Sequence, residues 1–237
     1  MKFSLVIPVY NEASRLENTL KEILSSTEKM ENDYEIILVE DGSTDETDKI
    51  AERLAEENSV VKFIHNEVRL GKGGAIKRGI EAASSGIIVT LDSDLSMNLS
   101  FLKNLVDSVE QGCDICIASR FVKGKIVKRS ISREVASRAY NFMVRTLFNS
   151  KIQDHQSGFK SFNSEKIKEL IKNVQNNGWI FDTELLVRAQ KMGMNIKEIP
   201  VVWVEDKEGS FNLRKDSISM GIELLKFWRK ERKNLNL

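Results

Sequence analysis

An α/β fold with a mainly parallel central sheet is what this 237-residue sequence predicts. Apolar runs of strand length alternate with amphipathic stretches of helix length through the first half, and parallel strands need such crossover helices to join them. Glycines, asparagines and acids gather just after the apolar runs, where open α/β sheets place their ligands. Only 2 prolines occur, with no low-complexity run and no internal repeat, so no linker is predicted.

The first strand is predicted over Ser4–Val9, closed by Pro8, with Asn11 starting a helix over Ala13–Thr27. A strand at Tyr34–Val39, a helix at Asp45–Glu56, a strand at Val60–His65 and a helix at Lys72–Ala83 repeat the unit. Ile87–Leu91, a helix at Leu99–Glu110 and Ile115–Ala118 complete it. Strands buried under helices on both faces read as continuous hydrophobic runs, as these do. The second half is less regular. A basic helical stretch, Ser130–Phe148, precedes a short strand near Gly158–Phe162. Helices at Ser164–Lys172 and Thr183–Lys191, a strand over Ile196–Val204 and a final helix at Ser217–Lys230 follow.

Hydrophobic residues make up 41% of the chain, enough for a substantial core. The 36 basic and 35 acidic side chains nearly cancel, which excludes the global positive field of a nucleic-acid binder. Any attraction for anions must therefore be local. No stretch approaches about 18 uninterrupted apolar residues and no signal-peptide pattern precedes Phe3, so neither a membrane span nor export is expected. Cys113 and Cys116 form a C-x-x-C, but on a strand side chains three apart point to opposite faces; buried thiols are expected, not a redox or zinc pair.

The run Gly86-Ile87-Ile88-Val89-Thr90-Leu91 ends abruptly in Asp92-Ser93-Asp94. Paired acids at a sheet edge suit Mg²⁺ or Mn²⁺, which take oxygen ligands and complete their shell with water and phosphate oxygens. Taken alone, the same acids serve equally to turn the chain or cap a helix. Three more segments follow strands: Pro8-Val9-Tyr10-Asn11-Glu12, Glu40-Asp41-Gly42-Ser43-Thr44-Asp45 and Arg69-Leu70-Gly71-Lys72-Gly73-Gly74. Acids after a second strand can accept hydrogen bonds from a ribose or base, although an Asp-Gly turn explains Gly42 to Asp45 as well. In the third segment glycines would let backbone amides approach a phosphate at a helix start, with Lys72 adding a full charge. Its spacing is not that of a P-loop.

This ordered set resembles the nucleotide-sugar-dependent family 2 glycosyltransferases of GT-A fold, and within them the polyprenyl-phosphate branch of dolichyl-phosphate glucosyltransferases and mannose synthases. The likeness continues through Ala118-Ser119-Arg120, Asp154-His155-Gln156-Ser157-Gly158-Phe159-Lys160, Phe181-Asp182-Thr183-Glu184 and Pro200-Val201-Val202-Trp203 with Gly209-Ser210. It implies a single GT-A domain over 1–237, with 1–120 holding the nucleotide sugar and 121–237 the acceptor, including an interfacial helix at about 130–149.

By the same resemblance, Pro8, Tyr10, Asn11, Glu12, Glu40, Asp41, Lys72, Asp92 and Ser93 would bind the nucleotide sugar. Asp92 and Asp94 would bind Mg²⁺ or Mn²⁺, and Asp92, Asp94, Arg120 and Arg133 would carry catalysis. Arg120, Arg133 and Ser137 would take the acceptor phosphate; Arg133 and Ser137, four apart on a helix, share a face, although Arg133 could instead pair with Glu134. His155 would lie behind the site, and His65 has no role. Relatives often carry Gln where Ser96 stands, which leaves a third protein ligand for the metal open. A cation usual after Gly209-Ser210 is replaced by Phe211, with Lys207, Arg214 or Lys215 as substitutes.

The implied reaction is inverting transfer of glucose or mannose, from UDP-glucose or GDP-mannose, to a polyprenyl phosphate. A phosphate monoester is already anionic near neutral pH and needs no strong protein base. The alternatives are a glycan or soluble hydroxyl acceptor on the same fold, or a nucleotide-binding module without turnover. Ile131, Val135, Ala139, Phe142, Met143 and Leu147 form an apolar stripe among Lys123, Lys125, Lys128, Arg129, Arg138 and Arg145, and the tail from Lys226 to Lys233 repeats the basic and aromatic mixture. Either a helix lying on anionic lipid or a core-facing helix with solvated arginines has this composition. Peripheral attachment to the cytoplasmic face of a membrane is the expectation.

Overall fold

The strand order is β3-β2-β1-β4-β7-β5-β8, a seven-stranded sheet in which β7 alone runs antiparallel to its neighbours. The computed structural model describes residues 2–28, 30, 33–128, 130–204 and 213–235. The strands are β1 (Phe3–Val9), β2 (Tyr34–Glu40), β3 (Val61–His65), β4 (Ile87–Thr90), β5 (Ile115–Ser119), β6 (Ile126–Lys128), β7 (Lys160–Asn163), β8 (Ile196–Pro200) and β9 (Val202–Val204). The helices are α1 (Leu16–Thr27), α2 (Thr47–Glu57), α3 (Lys72–Ala82), α4 (Leu102–Glu110), α5 (Ile131–Phe148), α6 (Ser164–Leu170), α7 (Phe181–Lys191) and α8 (Leu213–Leu235).

Side chains alternate along β1 in the way a pleated strand requires. Phe3, Leu5, Ile7 and Val9 join a core with Leu16, Leu20 and Ile23 of α1 and Leu102 and Leu105 of α4. Val6 joins the opposite core with Ile76 and Ile80 of α3, Ile167 of α6 and Leu185 of α7. Helix α3 lies so close to the sheet that a Cβ on Gly79 would stand 2.3 Å from Val6 Cγ1. A third cluster, Tyr140, Val144, Val187, Met220, Leu224 and Phe227, packs α5, α7 and α8 together. Cys113 and Cys116 are free, buried thiols, as expected.

Strand β1 ends at Val9, as expected, and it tolerates Pro8 because the β4 register ends at Val6↔Thr90 and Pro8 faces a neighbour only on the β2 side. The elements depart from expectation at two places. Helix α1 begins at Leu16 rather than near Ala13, since Asn11 adopts a left-handed φ of 55° that no helix continues. The run expected as one strand from Ile196 breaks into β8 and β9. Pro200 cannot donate to a ladder, Val201 offers its carbonyl to the Ile126 amide at 3.0 Å, and β9 pairs with β6 in a separate two-stranded sheet. The second half also completes the main sheet: β7 inserts between β4 and β5, and β8 extends the edge beyond β5.

Candidate active site

Strand order reverses between β1 and β4, and the crevice outside such a reversal is where open α/β sheets bind ligands. A cavity of about 950 Å³ lies there, walled by the residues following β1, β2 and β4, by the start of α3, and by α5, α7 and Met220 of α8.

Asp92 and Asp94 leave β4 into this cavity, with Leu91 still tied to β1 through its amide on the Val6 carbonyl at 3.1 Å. Lys72 sets its ammonium 2.7 Å from Asp92 Oδ1. Burial alone would raise the Asp92 carboxyl, but the charges of Lys72, Lys160 and Arg120 outweigh it and hold the group below its ordinary value. Asp94 goes the other way, pushed up by burial and by the Asp92 charge, even though the Ser96 amide donates to it at 3.0 Å. A cation between the two would relieve that repulsion. Among the described residues no three or more His, Cys, Asp or Glu side chains converge on a metal. Two carboxylates are a partial oxygen shell of the kind a hard cation completes with water and phosphate, so the donor set fits one.

At the β1 and β2 end, Pro8, Tyr10, Glu12 and Asp41 line the cavity as expected. The guanidinium of Arg69 sits 3.7 Å over the Tyr10 ring, forming a flat wall suited to a base. Glu12 is held by Arg15 and by the Ser93 hydroxyl, 2.8 Å from Glu12 Oε1. Asn11 is outside the cavity wall: its Oδ1 accepts from the Thr44 amide at 2.8 Å, which binds the loop after β1 to the loop after β2. Glu40 is also outside, fully buried, with its carboxylate on the Ser43 amide at 2.5 Å and on His65 Nδ1 at 2.6 Å. His65, given no role from sequence, is thus the partner of Glu40.

The amides of the glycine-rich segment are taken by groups of the protein itself. Leu70 and Gly71 donate to the two oxygens of Asp41, each at 2.8 Å, while Gly73 and Gly74 donate to the Asn177 carbonyl at 2.8 and 3.3 Å. The glycines serve close packing instead: a Cβ on Gly73 would stand 2.5 Å from Phe181 Cβ. Lys72 and Arg69 remain as this segment's charges in the cavity.

The acceptor candidates Arg120, Arg133 and Ser137 all line the same cavity, on its β5 and α5 side. Arg120 is clamped by Asp154, with Nε at 2.8 Å and Nη2 at 2.7 Å from its oxygens. Burial works against ionisation of Asp154, yet the Arg120 charge draws its carboxyl down to about 2. Ser137 donates to Gln156 Oε1 at 2.8 Å, and Glu134 pairs with Arg138. His155 lies behind this wall, fully buried between Ser150 at 2.8 Å and Asn141 at 3.0 Å. Ala136, Ala139, Met143 and Met220 make the neighbouring surface apolar. Gly209, Ser210, Phe211 and Lys207 lie outside the described residues, as do the side chains of Arg214 and Lys215.

Sequence reading missed Asp182 and Lys160 as site residues. Asp182, in the first turn of α7, lines the cavity and binds the Lys160 ammonium at 2.7 Å. Lysine is rarely buried without a partner, so Lys160 inside a strand run was a signal for such an acid.

Comparison with known proteins gives the family and the fold. A model of the family "Glycosyl transferase family 2" matches residues 4–171. Glycosyltransferase AglD of Haloferax volcanii is 39% identical over 231 residues, covering 96% of this chain; the chain spans 37% of that protein's length. A dolichyl-phosphate beta-glucosyltransferase of Saccharomyces cerevisiae is 31% identical over 94% of this chain and 72% of its own length. Glucosyl-3-phosphoglycerate synthase of Mycobacterium tuberculosis, solved with UDP, superposes with a TM-score of 0.67 at 22% identity, over 96% of this chain and 80% of that one. The GT-A fold is shared.

Proposed function

The chain belongs to glycosyl transferase family 2, and on that footing we propose that it moves glucose from a nucleoside diphosphate to a polyprenyl phosphate, with inversion, at a membrane surface. One observation carries the reading. A single cavity brings together a base wall (Tyr10, Arg69), a carboxylate pair (Asp92, Asp94), an arginine-rich wall (Arg120, Arg133) and an apolar flank (Ala136, Ala139, Met143, Met220). The name of the yeast relative, a dolichyl-phosphate beta-glucosyltransferase, supports a lipid phosphate acceptor and glucose over mannose, and hence UDP-glucose over GDP-mannose as donor.

Tyr10 and Arg69 would hold the base by stacking, and Asp41 fixes the loop that carries Arg69. Asp92 and Asp94 would hold Mg²⁺ or Mn²⁺, whose chemistry is to neutralise charge on the departing diphosphate. Arg120 and Arg133 would orient the acceptor phosphate, with the Ser137 hydroxyl beside them. That phosphate would enter as an anion and attack the anomeric carbon directly, which needs no strong protein base. The apolar flank would exclude water and receive the first prenyl units.

The test is a matrix of UDP-glucose and GDP-mannose against dolichyl phosphate and water-soluble sugars, read as nucleotide release and glycolipid formation. UDP-glucose with dolichyl phosphate is the expected productive pair, and Asp92→Ala should lower it by about 100-fold or more. Turnover confined to soluble hydroxyl acceptors would replace the lipid reading, and unchanged turnover in Asp92→Ala would remove the metal.

A further inference from the structure

Lys72 sits between two acids. Its ammonium is 2.7 Å from Asp92 Oδ1 and 3.8 Å from Asp182 Oδ2, with its side chain 22% exposed. Asp182, 6% exposed, is anchored through its other oxygen, Oδ1, on the fully buried Lys160 at 2.7 Å. Asp182 therefore cannot follow Lys72, and its Oδ2 stays directed to the side where Lys72 lies. Asp94, two residues after Asp92, takes the Ser96 amide. Ion pairs thus link Asp92, Lys72, Asp182 and Lys160 in that order.

A divalent cation held by Asp92 and Asp94 would lean on the same carboxylate whose Oδ1 Lys72 now holds. Two positive charges crowded onto one carboxylate repel each other strongly, even where they take different oxygens. We propose that Lys72 is the resident counter-ion of Asp92, released toward the nucleotide diphosphate with Asp182 as its fixed second partner, so that metal and nucleotide bind cooperatively. The inference rests on the functional reading above, and it makes Asp182 a positioning residue. Without nucleotide, the metal must break the Lys72–Asp92 pair with no new anion to receive the ammonium. With a diphosphate present the ammonium has one, so each ligand favours the other by the same factor.

Manganese binding to the whole protein, followed by the electron spin resonance of free Mn²⁺ with and without UDP, measures that factor directly. In the wild type UDP should tighten Mn²⁺ binding strongly. In Lys72→Met, Mn²⁺ alone should bind tighter than in the wild type, and the enhancement by UDP should shrink by about tenfold. Lys72→Gln, also neutral but polar, repeats the measurement in case methionine disturbs the fold. A simple loss of positive charge would tighten Mn²⁺ equally with and without UDP; an enhancement unchanged in both variants overturns the hand-over alone. A wild type that takes up neither Mn²⁺ nor UDP overturns the functional reading and the hand-over together.

Discussion

Gly158 decides where the Asp92 carboxylate can stand. A Cβ there would lie 2.1 Å from Asp92 Oδ2 and 2.4 Å from its Cγ, and the Gly158 carbonyl is pinned by the Thr90 hydroxyl at 2.9 Å, so the backbone cannot retreat. Gly158→Ala should therefore push Asp92 off its position, lowering turnover by about 100-fold while the half-exposed carboxylate moves at a stability cost of about 1–3 kcal/mol. Steady-state kinetics beside thermal melting separates the two effects. At this scale the sequence was informative wherever an acid or glycine interrupts an apolar run, as at Asp92, Asp94 and Asp41. It was silent on which groups partner Glu40 and Lys160, because His65 and Asp182 lie 25 and 22 residues away and only chain folding brings them together.

Among the elements, α5 divides its expected apolar stripe between two surroundings. Met143 and Leu147 turn inward against the cluster shared with α8, while Ile131, Val135 and Phe142 stay exposed at 83%, 60% and 71%. On α8, Ile218, Ile222 and Leu225 are exposed too, whereas Phe227 of the basic tail is buried and stacks on Phe148 with ring centroids 4.9 Å apart. Exposed Arg145, Lys226, Arg229 and Lys230 lie on the same two helices. Among the described residues no helix is long and apolar enough to cross a membrane. Lipid contact through these faces predicts that Val135→Ser with Phe142→Ser reduces sedimentation with anionic vesicles by about fivefold or more and leaves the melting temperature nearly unchanged. A periodicity in sequence shows that a face is apolar; which neighbour covers it depends on where α8 returns.

For the whole molecule, the buried polar groups behind the cavity set the response to acid. Burial pushes the His155 imidazole down to about 4, whereas in the unfolded chain it titrates near 6.5. The unfolded chain therefore binds the proton first as pH falls. Its contribution to stability is complete above pH 6.5 and is lost progressively from there to pH 4, at up to about 1.4 kcal/mol per unit. Asp154 and Glu35, both held down at about 2, extend the loss below pH 4. Urea midpoints at pH 7, 5.5 and 4.5 should fall in that order, and His155→Asn should flatten the slope over the same interval.

The alternation of apolar runs with helical stretches was sufficient by itself to determine the α/β class, the gathering of polar residues after strands, and the carboxylate pair at the end of β4. These depend on local period and on which residues end a strand, properties carried within about ten neighbouring positions. Tertiary structure alone decided that β7 threads between β4 and β5, that the glycines of α3 serve Phe181 and Asn177 rather than a phosphate, and that Lys72 rests on Asp92. Each of those outcomes is a contact between segments far apart in the chain, chosen by packing and by charge neutralisation in a buried space, and neither is written in the order of residues on one segment.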